Sequence, residues 1–93
     1  MATKIMYHLL MDDFSHLNQT LAKILTSLRT SRQLSKKKLA EMSGMERIYL
    51  IQLEKGEKRP TVNALFFLAR AFGIKASEFI QMIVNFFTMI SYR

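Results

Sequence analysis

An all-α domain is predicted by three features of this 93-residue chain. Apolar residues recur at three-and-four spacing through most of its length, the period of helices that turn one face to a core. No apolar/polar alternation persists long enough to compete with that period. The three glycines and one proline are scattered singly, where helix ends are expected. With 49% hydrophobic residues, a chain of this length supports one core and one domain.

Residues 1–13, with Ile5, Met6, Tyr7, Leu9 and Leu10, read as an N-terminal arm or an extra helical turn. Their apolar stretch is shorter than that of a signal peptide and lacks a small-residue cleavage pattern. The domain proper is expected over 14–93. Asp12 or Asp13 is suited to cap a first helix carrying Phe14, Leu17, Leu21, Ile24, Leu25 and Leu28, which ends near Thr30 in a polar connector. Ser35 caps a second helix of about two turns that Gly44 terminates. A third runs from Glu46 to Lys55, turns Leu50 and Leu53 inward, and stops at Gly56. After the basic turn Glu57-Lys58-Arg59-Pro60, Thr61 caps a fourth helix from Val62 to Phe72, burying Leu65, Leu68, Ala69 and Phe72 and closed by Gly73. Ser77 is then the expected cap of a fifth helix running toward Tyr92.

The net charge is +7, and most of it is local. Between Arg29 and Arg59 nine basic residues face four acidic ones, so five of the seven net charges lie there. Such a segment suits a polyanion, because lysine and arginine release the counterions condensed on phosphate. A merely solvated basic face is the plain alternative.

The charge surrounds a pattern with its own geometry. Two short helices that cross steeply need a small residue where their backbones approach, and Ala40 stands there. Gly44, four residues on, suits a turn with positive φ, where a β-carbon is costly. Leu39, Met45, Leu50 and Leu53 then pin both helices to the core. Each feature alone is common in helical cores; together they spell a helix-turn-helix and point to sequence-specific DNA binding.

On these residues the chain resembles the Cro and phage-repressor-like family of helix-turn-helix regulators, also called the xenobiotic-response-element type. The resemblance covers roughly Leu21 to Phe79. It rests on Leu28-Arg29, Leu34-Ser35, Leu39-Ala40 with Gly44, Leu53-Glu54-Lys55-Gly56 with Pro60, and Leu68-Ala69 with Phe72-Gly73. It implies a five-helix, lambda-repressor-like domain that binds double-stranded operator DNA, usually as a symmetric dimer. The third helix then becomes the recognition helix in the major groove. Arg47 is the first candidate for base reading, since a guanidinium can donate twice to guanine, and Gln52 the second, through adenine. Glu46 either caps the helix, the preferred role, or accepts from cytosine. Ile48 and Ile51 stand where the family is often polar; they read thymine methyl groups or are partly buried in the core or a partner contact. Tyr49 either reaches a phosphate or packs under the turn.

Phosphate contacts fall to Lys36 and Lys37 at the start of the second helix, to Arg32, and to Lys58 and Arg59 in the basic turn. Lys36 departs from the family, which commonly has glutamine there. Arg29 and Glu54 match positions that often pair with each other structurally.

The stretch from Phe79 to Tyr92 is apolar nearly all round. It is too short and too often interrupted by Gln81, Asn85, Thr88 and Ser91 to span a membrane, and it lacks the lysines of an interfacial helix. A homodimer interface through Phe79, Ile80, Ile83, Val84, Phe86, Phe87 and Ile90 fits best, with cover by the N-terminal arm as the alternative.

Nothing points to an enzyme, a cofactor or a small-molecule effector. His8 and His16 lack the neighbours of a metal site, and no glycine-rich phosphate loop occurs. The absence of cysteine suits a cytoplasmic location. The expected function is a dimeric transcriptional regulator, a repressor or controller, on an inverted-repeat operator. A competing reading is an antitoxin-like or other protein-binding module whose apolar C-terminal helix engages a different chain. A third is a structural helical domain that retains the motif as a packing solution.

Overall fold

The computed structural model describes residues 16–91, and every regular element among them is a helix. We number these α1 (Leu17–Ser31), α2 (Lys36–Ser43), α3 (Arg47–Glu54), α4 (Val62–Phe72) and α5 (Ala76–Ser91). The all-α, five-helix expectation holds in order and nearly in boundary. The arm, the Asp12 and Asp13 caps, Phe14 and Tyr92 lie outside the described residues.

Capping explains most of the boundaries. The Ser35 hydroxyl accepts from the Lys38 N–H at 3.0 Å, and the Thr61 hydroxyl accepts from the Ala64 N–H at 3.0 Å, each satisfying a donor that its helix leaves free. α2 and α4 end at Gly44 and Gly73, both left-handed, and the following residues close the ends with the bonds Met45 N–H to Ala40 O and Ile74 N–H to Ala69 O. α1 closes in the same way, with Leu34 N–H on Arg29 O, but its left-handed residue is Gln33 at φ 57°. A glutamine is no stop signal, so the sequence placed this end by polarity alone.

One cap differs from expectation. α5 begins at Ala76, so Ser77 lies inside the helix, and the Glu78 carboxylate reaches back to accept from the Lys75 N–H at 2.9 Å. A glutamate three residues beyond the cap position is long enough to do this, and its charge is favoured at that helix end.

The core is one cluster. Leu21, Ile24 and Leu25 of α1 meet Leu39 and Ala40 of α2, Leu50 and Leu53 of α3, Leu68, Ala69 and Phe72 of α4, and Phe79 and Ile83 of α5. α1 runs through the centre against both α3 and α5, while α2 bridges α3 and α4. Ala40 is buried, as the crossing of α2 and α3 requires. Ser43, also buried, donates to the Leu39 carbonyl at 2.8 Å, so its hydroxyl carries no unmet desolvation cost.

The described part of the C-terminal helix is less uniformly apolar than its composition suggests. Phe79, Ile83 and Phe87 recur every four residues and are buried inside the protomer, so they are core residues rather than interface residues. Phe86 is half-buried; of the residues expected at an interface, Ile80, Val84 and Ile90 are exposed. Roughly opposite the buried row, Gln81 donates to Asn85 at 2.8 Å in a polar strip. The exposed apolar surface therefore forms flanks on either side of that strip, with Ile80 and Val84 on one and Met82 and Met89 on the other.

Candidate nucleic-acid interface

α3 is eight residues long, too short to persist by propensity, so its orientation comes from what holds it. Inside, Leu50 and Leu53 are fully buried. At its C-terminus Glu54 takes a bidentate bond from Arg29 of α1, at 2.6 Å from Nε and 3.0 Å from Nη2, and a third bond from the Thr26 hydroxyl at 3.1 Å. The same guanidinium donates to the Leu34 carbonyl at 2.8 Å, so one side chain fixes α1, the connector and α3 together. Both partners are mostly buried. The hydrogen bond to Glu54 raises the Arg29 pKa, burial opposes it, and the carboxylate charge adds to the rise. The expected Arg29–Glu54 pair is thus present.

The other end is tied through Tyr49. Its hydroxyl accepts from the Thr61 N–H at 3.2 Å and lies 3.4 Å from the Arg59 carbonyl, to which it donates. The basic turn is thereby laid against α3, with Lys58 and Arg59 exposed. Tyr49 is half-buried, and its hydroxyl is committed within the protein.

The outward arc of α3 follows from the 100° step of a helix. Ile48 lies at its centre, roughly opposite Leu50 and Leu53, with Lys55 one above it seven residues on. Ile51 and Gln52 flank that line and Arg47 stands at one edge. Arg47 and Ile48 are exposed, whereas Ile51 and Gln52 are half-buried. Glu46 occupies the cap position in extended conformation, but its side chain makes no capping bond, which corrects the preferred reading of that residue. Its carboxylate stays in solvent because it is exposed and no free N–H of the first turn takes it.

Basic residues lie on both elements joined to α3, the start of α2, which packs against it, and the turn that Tyr49 ties to it. Lys37 and Lys38 are exposed in the first turn of α2, while Lys36 is half-buried. Arg32 behaves differently. Its guanidinium donates to the Phe72 carbonyl and stacks on the Phe72 ring at 5.3 Å from the centroid, so it caps the C-terminus of α4 and joins the α1–α2 connector to it. The reading of Arg32 as a phosphate contact overlooked this partner, 40 residues away, which no local pattern reveals. Lys55 adds a basic residue to this face, and its seven-residue spacing from Ile48 is the sequence signal that marks it.

The arrangement presents an exposed helix face, framed by a basic helix start and a basic turn. Comparison with known proteins identifies the family and the fold. The helix-turn-helix family HTH_3 matches residues 19–79. Over 58 residues the chain is 36% identical to the control protein C.SmaI of Serratia marcescens, covering 62% of this chain and 69% of that one. A solved HTH_3-family transcriptional regulator from Vibrio cholerae is 31% identical with a TM-score of 0.67; the match covers 72% of this chain and spans 38% of that regulator. The clp gene regulator ClgR from Corynebacterium glutamicum, 24% identical over 81% of this chain and 79% of its own, shares the fold with a TM-score of 0.70.

Proposed function

The chain belongs to the HTH_3 helix-turn-helix family of DNA-binding transcriptional regulators, which are not enzymes, and from that premise we propose that it is a homodimeric repressor or controller acting on an inverted-repeat operator in the cytoplasm. The observation that carries this is the exposed arc of α3, held by ties at both ends, with exposed Lys37 and Lys38 on the helix packed against it and exposed Lys58 and Arg59 in the turn that Tyr49 ties to it. Similarity to a control protein supports the controller form of the reading.

In this proposal α3 enters the major groove. Arg47 reads guanine, Gln52 pairs with adenine or braces a neighbouring contact, and Glu46 remains free to accept from a cytosine amino group. The backbone contacts come from Lys36 and Lys37 at the positive end of α2 and from Lys58 and Arg59. Arg32 and Tyr49 act indirectly, by holding the connector and the basic turn in place. The twofold mate docks on the exposed flank of α5 that carries Ile80 and Val84, with Ile90 exposed near the end of the helix in line with the buried row. Two recognition helices related in this way meet half-sites about 34 to 36 Å apart.

Selection of bound duplexes from a random pool tests the proposal. A recovered inverted repeat, bound by a dimer in sedimentation, is the expected outcome. Arg47→Ala should remove discrimination at one base position, about 1 to 3 kcal/mol, while Lys37→Ala should weaken all sequences alike and flatten the salt dependence. No common sequence, together with a tight complex with a different chain, would favour the protein-binding module instead.

A further inference from the structure

The centre of the α3 arc is not a hydrogen-bonding residue. Ile48 is 68% exposed, in the first turn of α3, and lies about 150° around the helix from the buried Leu50 and Leu53. It is therefore the α3 side chain pointing most directly away from the core, with Arg47 and Gln52 to its sides. Ile51 is 60° around from it and half-buried, so it offers less surface.

The chemistry of the major-groove edge limits what such a residue can face. N7 and O6 of guanine, N7 and N6 of adenine, N4 of cytosine and O4 of thymine are all polar, and the C5 methyl of thymine is the apolar exception. An isoleucine set against a polar edge removes water from it without supplying a partner, which costs affinity. Set against a methyl group, the same contact gains. Being β-branched in a helix, Ile48 is held near one χ1 rotamer, so little freedom is lost when it is ordered at the groove.

We propose that Ile48 makes binding depend on the 5-methyl group of one pyrimidine in each half-site, so that the protein distinguishes thymine from uracil and 5-methylcytosine from cytosine there. The inference rests on the major-groove placement of α3 proposed above and assigns what the middle of that face reads. Methylation at cytosine C5 then acts as a signal that this domain senses directly, through the same contact that serves thymine.

The test uses the full chain and the duplex recovered by selection. Each thymine in turn is replaced by deoxyuridine, which removes only the methyl group, and affinity is measured at fixed salt. One symmetry-related position should lose about fourfold per half-site, the worth of one buried methyl. At that position a C·G pair should gain by the same factor when its cytosine is 5-methylated. Ile48→Ala, an exposed substitution that leaves the core intact, should erase both differences while preserving the preference due to Arg47. Insensitivity of wild-type protein at every position, or sensitivity that survives in Ile48→Ala, overturns the assignment and leaves the regulator reading standing. A pool that yields no common sequence removes that reading, and the methyl contact with it.

Discussion

α3 and α5 bury their inner faces equally well and differ in everything that faces outward. Leu50 and Leu53 are as completely enclosed as Phe79, and Ile83 and Phe87 are nearly so. Yet α3 has eight residues and α5 sixteen. The short helix is held by polar ties at both ends, the Arg29–Glu54 pair and the Tyr49 hydroxyl, and it presents a mixed arc of Arg47, Ile48, Gln52 and Lys55. The long helix is held mainly by apolar packing against α1 and α4, and it leaves aliphatic flanks in water. A surface that must meet base edges at fixed angles needs directional bonds behind it, whereas a surface that needs only to be covered can rest on nondirectional burial.

The sharpest way to break this contrast is Arg29→Ala, which leaves the mostly buried Glu54 carboxylate with only the Thr26 hydroxyl as partner. A loss of about 3 to 5 kcal/mol is expected in denaturant unfolding, and Glu54→Ala, which frees the less buried guanidinium, should cost less. A loss below about 1 kcal/mol would show that leucine packing alone orients α3. Next in size, replacing Ile80 and Val84 together by serine should weaken self-association at least about tenfold in sedimentation, since both side chains leave an interface while neither leaves the core. Protomer stability should stay within about 0.5 kcal/mol per substitution, because the sites are exposed. Unfolding rather than dissociation would mean that the flanks belong to the protomer.

Smaller effects probe the helix ends. Ser35→Ala and Thr61→Ala should each cost about 1 kcal/mol by removing a bonded cap. Ser77→Ala should cost almost nothing, because the Glu78 carboxylate serves that end. Gln33→Gly should raise stability by about 0.5 kcal/mol, as glycine relieves the left-handed strain at φ 57° but adds freedom to the unfolded chain. A destabilised Gln33→Gly would point to a contact of the glutamine side chain that outweighs the backbone gain.

Ser35, Gly44, Thr61 and Gly73 mark helix ends because hydroxyl caps and left-handed glycines act within four residues of themselves. Ser77 and Glu46 mislead for the same reason in reverse, since both look like caps and neither side chain serves as one, while Gln33 ends a helix without the glycine that usually marks such an end. In the α5 segment, composition overstated the free apolar surface, since nothing local tells which of its faces the core will take.

Local chemistry and hydrophobic period were thus enough to specify five helices, their order, the Ala40–Gly44 turn and the clustering of positive charge, because each is decided by neighbours a few residues apart. Folding in three dimensions decided the rest. It sent Arg32 to the end of α4 and enclosed Phe79, Ile83 and Phe87. Such outcomes depend on which surfaces meet across long stretches of chain, as the Arg32–Phe72 bond does across 40 residues. A contact of that span is set by the packing of whole helices and leaves no mark in the residues beside it.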